Sequence, residues 1–324
     1  MAPVAIPRKK LINPPKEISK NMISTPNLLN IITYFSFILC KYYDYEIILK
    51  GDNMKKYLIA LDLDGTLLYD WKTLKEETRD YLIQVSKQGH KLVIATGRPF
   101  RSSEMFHQML KLDTPIINYN GGLVTSKNDD NFECFRLTVE KEYILDIFEN
   151  TKQYMKNAFG EIGDHIYLLH DTEEIRPLIH NFNGAQLTVG NFKDTLPGNT
   201  NGFIIIANEG EGQFIEDYVE ENYKGKVLHR NWGNEYSFII ELFTPETNKG
   251  NGVKYVSKYL GFEREQVIAF GDGHNDIEMI EYAGLGIAMS NAHHSLKEVA
   301  DLTLEDSNKE NGIEKFLDKF LYNR

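Results

Sequence analysis

Cysteine is nearly absent from this chain: two in 324 residues, Cys40 and Cys134. Two thiols so far apart build no disulfide framework, and no Cys/His spacing suited to a metal occurs, so a reducing, cytoplasmic setting is expected. A basic balance is missing as well, with 36 Lys+Arg against 47 Asp+Glu and a net charge of −11. That charge argues against a nucleic-acid surface and for a soluble protein. No repeat period and no low-complexity tract is visible. The apolar stretch Leu28–Cys40 is broken by Asn30, Thr33 and Ser36 and is too short to span a bilayer comfortably. Lys41-Tyr42-Tyr43-Asp44 follows it where a signal peptide would show small residues. A membrane partner is therefore not expected.

The length allows one large or two ordinary domains with a real core. The first 53 residues differ from the rest, being basic and Pro-bearing before the apolar stretch. Met54-Lys55-Lys56, directly before the first core strand, reads as a start site. Lys50-Gly51-Asp52-Asn53 can be encoded by AAA-GGA-GAT-AAT, a purine-rich ribosome-binding sequence. The expectation is that Met54 is the functional start and that 1–53 is an extension, not native or poorly ordered.

The rest is organised around Lys55–Leu68, KKYLIALDLDGTLL. A near-continuous apolar run, Tyr57–Leu61, suits a central strand of a parallel sheet covered on both faces. Asp62 and Asp64 follow and, one residue apart, point to the same side of its carboxyl end. Gly65 permits a sharp turn, within which Thr66 can hydrogen-bond. Ligands of open α/β sheets bind beyond the carboxyl ends of the strands. Two carboxylates there are costly unless they share a metal or a proton. A lone Asp-x-Asp is more often a solvated acidic turn; three later stretches make this one different.

From Met54 strand and helix alternate: helix Thr73–Gln88 stopped by Gly89, strand Lys91–Thr96, helix Arg101–Leu110 and strand Pro115–Tyr119 before Asn120-Gly121-Gly122. This rhythm implies right-handed crossovers and a parallel sheet. From about Phe135 to Phe243 helical stretches (Lys141–Asn157, Gln213–Asn222) mix with short strands at His165–Leu169, Phe203–Ala207 and Tyr236–Phe243. The first rhythm then resumes with helix Gly250–Leu260, strand Gln266–Phe270, helix Asp276–Tyr282, strand Leu285–Met289 and helix Ile313–Leu321. The expected fold is α/β: a three-layer parallel-sheet core, 54–137 and 244–324, interrupted by an inserted α+β cap, 138–243.

Three further stretches fall where core strands end or helices begin. Thr96 offers a hydroxyl and Gly97 an unobstructed N–H, a pair suited to an anionic oxygen. Lys249 opens a helix, where its ammonium could reach a phosphate. Alone, a Thr-Gly turn and a surface lysine would be the ordinary readings. Gly271-Asp272-Gly273-His274-Asn275-Asp276 follows an apolar strand and supplies further carboxylates. It is not a dinucleotide fingerprint, because Asp276 stands where the third Gly belongs. Oxygen-rich sites with few His or Cys ligands suit Mg²⁺.

In this order the four stretches resemble the motifs of the haloacid-dehalogenase-like hydrolases, over nearly everything from Met54 on. Asp62–Thr66, Thr96-Gly97-Arg98, Lys249 and Gly271–Asp276 are similar to the four motifs in turn. The insert's position, the Asn-Gly-Gly turn before it and Ala288-Met289-Ser290-Asn291-Ala292 after the fourth motif resemble Cof-type phosphatases with a type IIB cap on a Rossmann-like core. The resemblance implies a Mg²⁺-dependent phosphatase of small phosphorylated metabolites, with sugar phosphates ahead of phosphorylated cofactors. It makes Asp62 the nucleophile and Asp64 the general acid–base, protonated at the start because it lies beside a like charge. Thr96, Gly97, Lys249 and Asn275 would bind phosphoryl oxygens. Asp62, the Asp64 backbone carbonyl and Asp272 would hold Mg²⁺, with Asp276 a direct or outer ligand. The alternatives are a phosphosugar mutase or phosphotransferase on the same scaffold, a non-catalytic phospho-ligand sensor, which would most simply have lost Asp62 or Asp64, and a receiver domain, which is smaller and uncapped. His293-His294 reads as a surface pair at a helix start, and Trp232 and the cap tyrosines as packing.

Overall fold

The computed structural model describes residues 55–232 and 238–322. The leader with its proposed start at Met54, and the beginning of the expected strand Tyr236–Phe243, lie outside them. The described residues fall into two units, Lys56–Ile313 and the last helix from Glu314 on. Everything up to the last helix concerns the first unit.

In chain order the unit opens with β1 (Leu58–Leu61), α1 (Glu76–Lys87), β2 (Lys91–Ile94), α2 (Phe100–Met109), β3 (Ile116–Asn118), β4 (Leu123–Thr125) and β5 (Phe135–Arg136). It continues with α3 (Lys141–Thr151), β6 (Met155–Ile162), β7 (His165–Leu168), β8 (Gln186–Val189), α4 (Phe192–Thr195), β9 (Gly202–Ala207), α5 (Gly212–Tyr223), β10 (Leu228–Asn231) and β11 (Ile239–Phe243). Then come α6 (Lys249–Tyr259), β12 (Val267–Gly271), α7 (Ile277–Tyr282), β13 (Leu285–Ala288), α8 (His294–Val299) and β14 (Leu302–Thr303). The last helix, α9 (Gly312–Tyr322), stacks Phe316 on Phe320 along one side, 5.5 Å between ring centres.

Five strands form a parallel sheet in the order β14-β13-β12-β1-β2. β1 is fully buried and central, as its unbroken apolar run implies. Leu58 and Ala60 pack with Val253 and Val256 of α6 and Met279 and Ile280 of α7. Burial of each such Leu or Ile stabilises by about 1.5–3 kcal/mol. Register has a functional consequence: Leu61 lies opposite both Ile94 and Phe270. Whatever follows these three strands must therefore emerge at one edge.

The expected third parallel strand, β3, lies beside the chain just after β2 through a parallel Ala95–Ile117 bridge, and it also pairs antiparallel with β4, which pairs with β5. Within 155–243 lies a six-stranded sheet, order β10-β11-β9-β6-β7-β8, antiparallel except for β7–β8. Alternation along β9 sends Phe203 and Ile205 to the face packed by Ile144, Ile147 and Phe148 of α3 and Ile215 and Val219 of α5. Ile204 and Ile206 meet Ile175 and Ile179 on the other face. The expected helix Lys141–Asn157 ends at Thr151, and β6 follows it after one 3₁₀ turn. Strands β8 and β10 were not expected from the sequence. Trp232, expected to pack, is exposed, whereas Tyr143, Tyr167 and Tyr223 do pack with the α3–α5 face. No helix among the described residues is long and apolar enough to cross a membrane.

Candidate active site

Asp62 follows β1, Thr96 lies two residues beyond β2, and Gly271-Asp272 closes β12, so the common register delivers three of the four motifs to one edge. Lys249 arrives from α6, whose first turn is fixed by the Asn248 side chain accepting from Asn251 N–H at 2.8 Å. Its ammonium, fully buried, donates to Asp62 Oδ1 and Asp276 Oδ1, each at 2.6 Å. Asp276 Oδ2 accepts from the N–H groups of Asp272 and Gly273 at 3.0 and 2.9 Å. Asp276 thus shapes its own loop while holding Lys249.

The loop after β1 closes onto Asp272. Thr66 Oγ1 donates to Asp272 Oδ1 at 2.7 Å rather than within its own turn, which corrects the sequence reading. Gly65 has φ +78°, and a Cβ there would lie 2.2 Å from Asp272 Oδ2. A side chain there would be strained and would displace the Asp272 carboxylate. Carboxylate oxygens of Asp62, Asp272 and Asp276 lie within 4.8 Å of one another.

These charges are unevenly balanced, three carboxylates to one ammonium. Burial, then the Asp276 carboxylate, push Asp62 well above the usual carboxylate range, with Lys249 opposing. Burial and Asp276 likewise push Asp272 up to about 7. Burial pulls the Lys249 ammonium down, but Asp276 and Asp62 outweigh it and the net direction is upward. A divalent cation would relieve this excess, and all the donors are hard oxygens, so the residues present fit Mg²⁺.

Asp64 turns elsewhere. Arg98 Nε donates to Asp64 Oδ2 at 2.8 Å and Arg98 Nη2 donates to Asp64 Oδ1, a bidentate pair. The neighbour of the Asp64 carboxylate is thus a cation, where the sequence argument for its proton invoked a like charge. Nη2 also donates to the Trp71 carbonyl at 2.7 Å, and the guanidinium lies 5.5 Å from the centre of the Phe106 ring. A cavity of about 580 Å³ adjoins this pair, lined among others by Asp64, Tyr69, Trp71, Asp272, Asn291 and Lys309.

Thr96 is buried and its Oγ1 accepts from Arg98 N–H at 3.1 Å, while Gly97 is exposed. Asn275 Nδ2 donates to Asn120 Oδ1 at 2.9 Å. Every site residue expected from the sequence therefore lies along this edge. Sequence reasoning missed Arg98 and Asn120 as contributors, although both stand in stretches it singled out. His293 begins a helix as expected, its ring accepting from Ser295 N–H.

Oxygen donors, a buried ammonium and an exposed glycine at the carboxyl edge of a parallel sheet define an α/β site for an anion and a hard cation. The profile of the haloacid dehalogenase-like hydrolases matches residues 59–317. The chain is 35% identical over 267 residues to the 5-amino-6-(5-phospho-D-ribitylamino)uracil phosphatase YitU of Bacillus subtilis (strain 168), covering 82% of this chain and 98% of that one. It is 28% identical over 281 residues to the pyridoxal phosphate phosphatase YbhA of Escherichia coli (strain K12), covering 82% and 98%. A haloacid dehalogenase-like hydrolase of Bacteroides thetaiotaomicron, of known crystal structure, superposes with a TM-score of 0.70 at 27% identity, covering 82% of this chain and 99% of that one. The chain belongs to the haloacid dehalogenase-like hydrolases, as a phosphatase of the Cof type. It is a phosphoric monoester hydrolase.

Proposed function

We propose that the chain is a Mg²⁺-dependent phosphatase of small phosphomonoesters that works through an aspartyl-phosphate on Asp62. The observation that carries this is the cluster of buried Lys249, Asp62 and Asp276 with half-buried Asp272. Lys249 holds Asp62 by one oxygen only, leaving Oδ2 to face an incoming phosphorus. Asp62, Asp272 and the Asp64 backbone carbonyl would hold Mg²⁺, which when bound offsets the repulsion between carboxylate and phosphoryl group. Asp276 spends both oxygens on Lys249 and backbone N–H groups, so we assign it the outer role.

Asp64 would protonate the leaving oxygen and later take the proton of the attacking water. Arg98 orients it. Thr96 Oγ1, Gly97 N–H, Lys249 and Asn275 would hold the phosphoryl oxygens, whose charge is redistributed in the transition state. We place the core at 54–137 and 244–324 and read 138–243 as the cap that selects the leaving group. Phosphate carried on a sugar or polyol carbon is the leading substrate class, as in the uracil compound that names the Bacillus relative; pyridoxal phosphate follows.

The test is phosphate release by full-length protein from a panel holding that uracil compound, sugar phosphates, pyridoxal phosphate and flavin mononucleotide. Turnover is expected with Mg²⁺ and none in excess chelator, and Asp272→Asn should raise the Mg²⁺ requirement far more than Asp64→Asn. Full activity in chelator would refute the metal role. A stable phosphoenzyme that passes its phosphate to a second sugar would favour a mutase.

A further inference from the structure

Asn120 occupies an unusual place in the unit. Its φ is +53°, a left-handed conformation that Asn and Gly tolerate, and its side chain is buried. The turn it begins is tightly enclosed: Gly121 has φ +95°, and a Cβ there would lie 2.1 Å from the Asn248 carbonyl. The Asn120 amide meets three neighbours at once. Its Oδ1 accepts from Asn275 Nδ2 at 2.9 Å, its Nδ2 donates to Glu241 Oε1 at 3.3 Å, and a Cβ on Gly97 would sit 3.1 Å from its Oδ1.

Glu241 belongs to β11, which pairs with β10 and β9 of the six-stranded sheet rather than with the parallel sheet. Its Oε2 accepts from Arg230 Nε and Nη2, at 3.2 and 3.0 Å, and the Arg230 guanidinium lies 4.7 Å from the centre of the Phe243 ring. Arg230 thereby holds Glu241 in place, with Oε1 left to accept from Asn120.

An ionised carboxylate can only accept hydrogen bonds, whereas an amide presents an acceptor at one end and donors at the other. With Glu241 as acceptor, Asn120 must turn its NH₂ toward β11 and its oxygen toward Asn275. Asn275 must then turn its own NH₂ inward. One of those two hydrogens satisfies Asn120 Oδ1 and the second is left to donate. We propose that Glu241, acting through Asn120, fixes the donor polarity of Asn275, so that both are positioning residues for phosphoryl binding. The inference rests on the phosphoryl role proposed above for Asn275. It also gives the inserted sheet a part in phosphate binding, apart from any choice of leaving group.

The experiment is calorimetric titration of full-length protein with inorganic phosphate in Mg²⁺, since that probe has no leaving group for the insert to recognise. Glu241→Gln keeps the shape but lets either end of the new amide face Asn120. It should weaken phosphate about tenfold, the order of one hydrogen bond to a charged group. Asn120→Gly, which suits the positive φ, should weaken it comparably. The double variant should be no weaker than Asn120→Gly alone within about twofold, because Glu241 acts only through Asn120. Glu241→Ala carries the same expectation if Glu241→Gln does not fold, and thermal midpoints verify folding throughout. Additive losses, or a Glu241→Gln affinity equal to wild type, would overturn the relay. Failure of the wild type to bind phosphate would instead remove the role of Asn275 on which the relay depends.

Discussion

Lys249→Met isolates the electrostatic balance of the site. The substitution keeps an unbranched chain of similar length and deletes the charge from a fully buried position. Each 2.6 Å contact, to Asp62 and to Asp276, is worth about 6 kcal/mol of gross attraction at an effective dielectric of about 20. Desolvation of the three groups cancels much of this, and removal of one partner from a buried pair typically costs about 3–5 kcal/mol net. At about 2–4 °C per kcal/mol for a domain of this order of size, Tm should fall by roughly 10 °C in chelator. Activity should be lost as well. Unfolding in urea and by heat, without divalent cation, measures the deficit. The decisive comparison is Lys249→Met/Asp276→Asn, which restores the original charge difference. The new amide at position 276 can still accept from the Asp272 and Gly273 N–H groups through its oxygen and can present its NH₂ toward Asp62. The double variant should therefore recover part of the stability while remaining inactive. A double variant less stable than the single one would refute the reasoning, since it would mean that Lys249 stabilises by packing and not by charge.

Three other outcomes are expected. Asp64→Asn should lose most of its single-turnover rate with alkyl phosphates and less with an aryl phosphate, whose phenoxide leaves without a proton; equal losses would overturn its role as acid. His90, whose Nδ1 accepts from Tyr57 N–H at 3.2 Å, is held at about 4 by burial and then by Lys56. Because the unfolded imidazole takes a proton near 6.5 and the folded one does not until about 4, stability should fall as pH drops across that window. His90→Asn, retaining an acceptor, should flatten the urea-midpoint profile between about pH 7 and 4.5, and an unchanged slope would exclude His90 as its source. Protein begun at Met54 should be soluble and turn over like the full chain; loss of either property would show that Met1–Asn53 belongs to the working molecule.

The core was legible because its strands are continuous apolar runs that only a doubly covered sheet accommodates, and β1, β2, β12 and β13 fall within a residue or two of expectation. The six-stranded sheet was less so. Met155–Ile162, MKNAFGEI, has no clean alternation, and its pairing with β9 shifts register between Met155 and Asn157. Its first residues therefore read as a continuation of the helix before it. β8 and β10 are half-exposed strands whose sequences, QLTV and LHRN, carry little apolar signal; their pairing depends on β7 and β11. β3 was legible as a strand, but its further, antiparallel pairing with β4 was not, because the Asn-Gly-Gly turn folds the chain straight back.

The same distinction separates the parts of the site. Asp62, Thr96, Lys249 and Asp272 could be found because each sits at a fixed offset from a strand or helix end, and those offsets are local. What each does depends on partners that no offset encodes: Arg98 lies 34 residues from Asp64, and Glu241 lies 121 residues from Asn120. Four carboxylates of one chemical type are thereby given different surroundings. Asp62 and Asp276 share an ammonium, Asp272 takes a hydroxyl, and Asp64 faces a guanidinium. On the roles proposed above, a carboxylate tied at one oxygen by Lys249 would keep the other for attack, whereas one engaged at both by backbone and lysine would only support. As the general acid proposed above, Asp64, gripped at both oxygens by Arg98, would have to loosen that grip to exchange a proton. On that proposal the guanidinium belongs to the acid–base step as well, and a change at Arg98 should appear first in the rates with alkyl leaving groups.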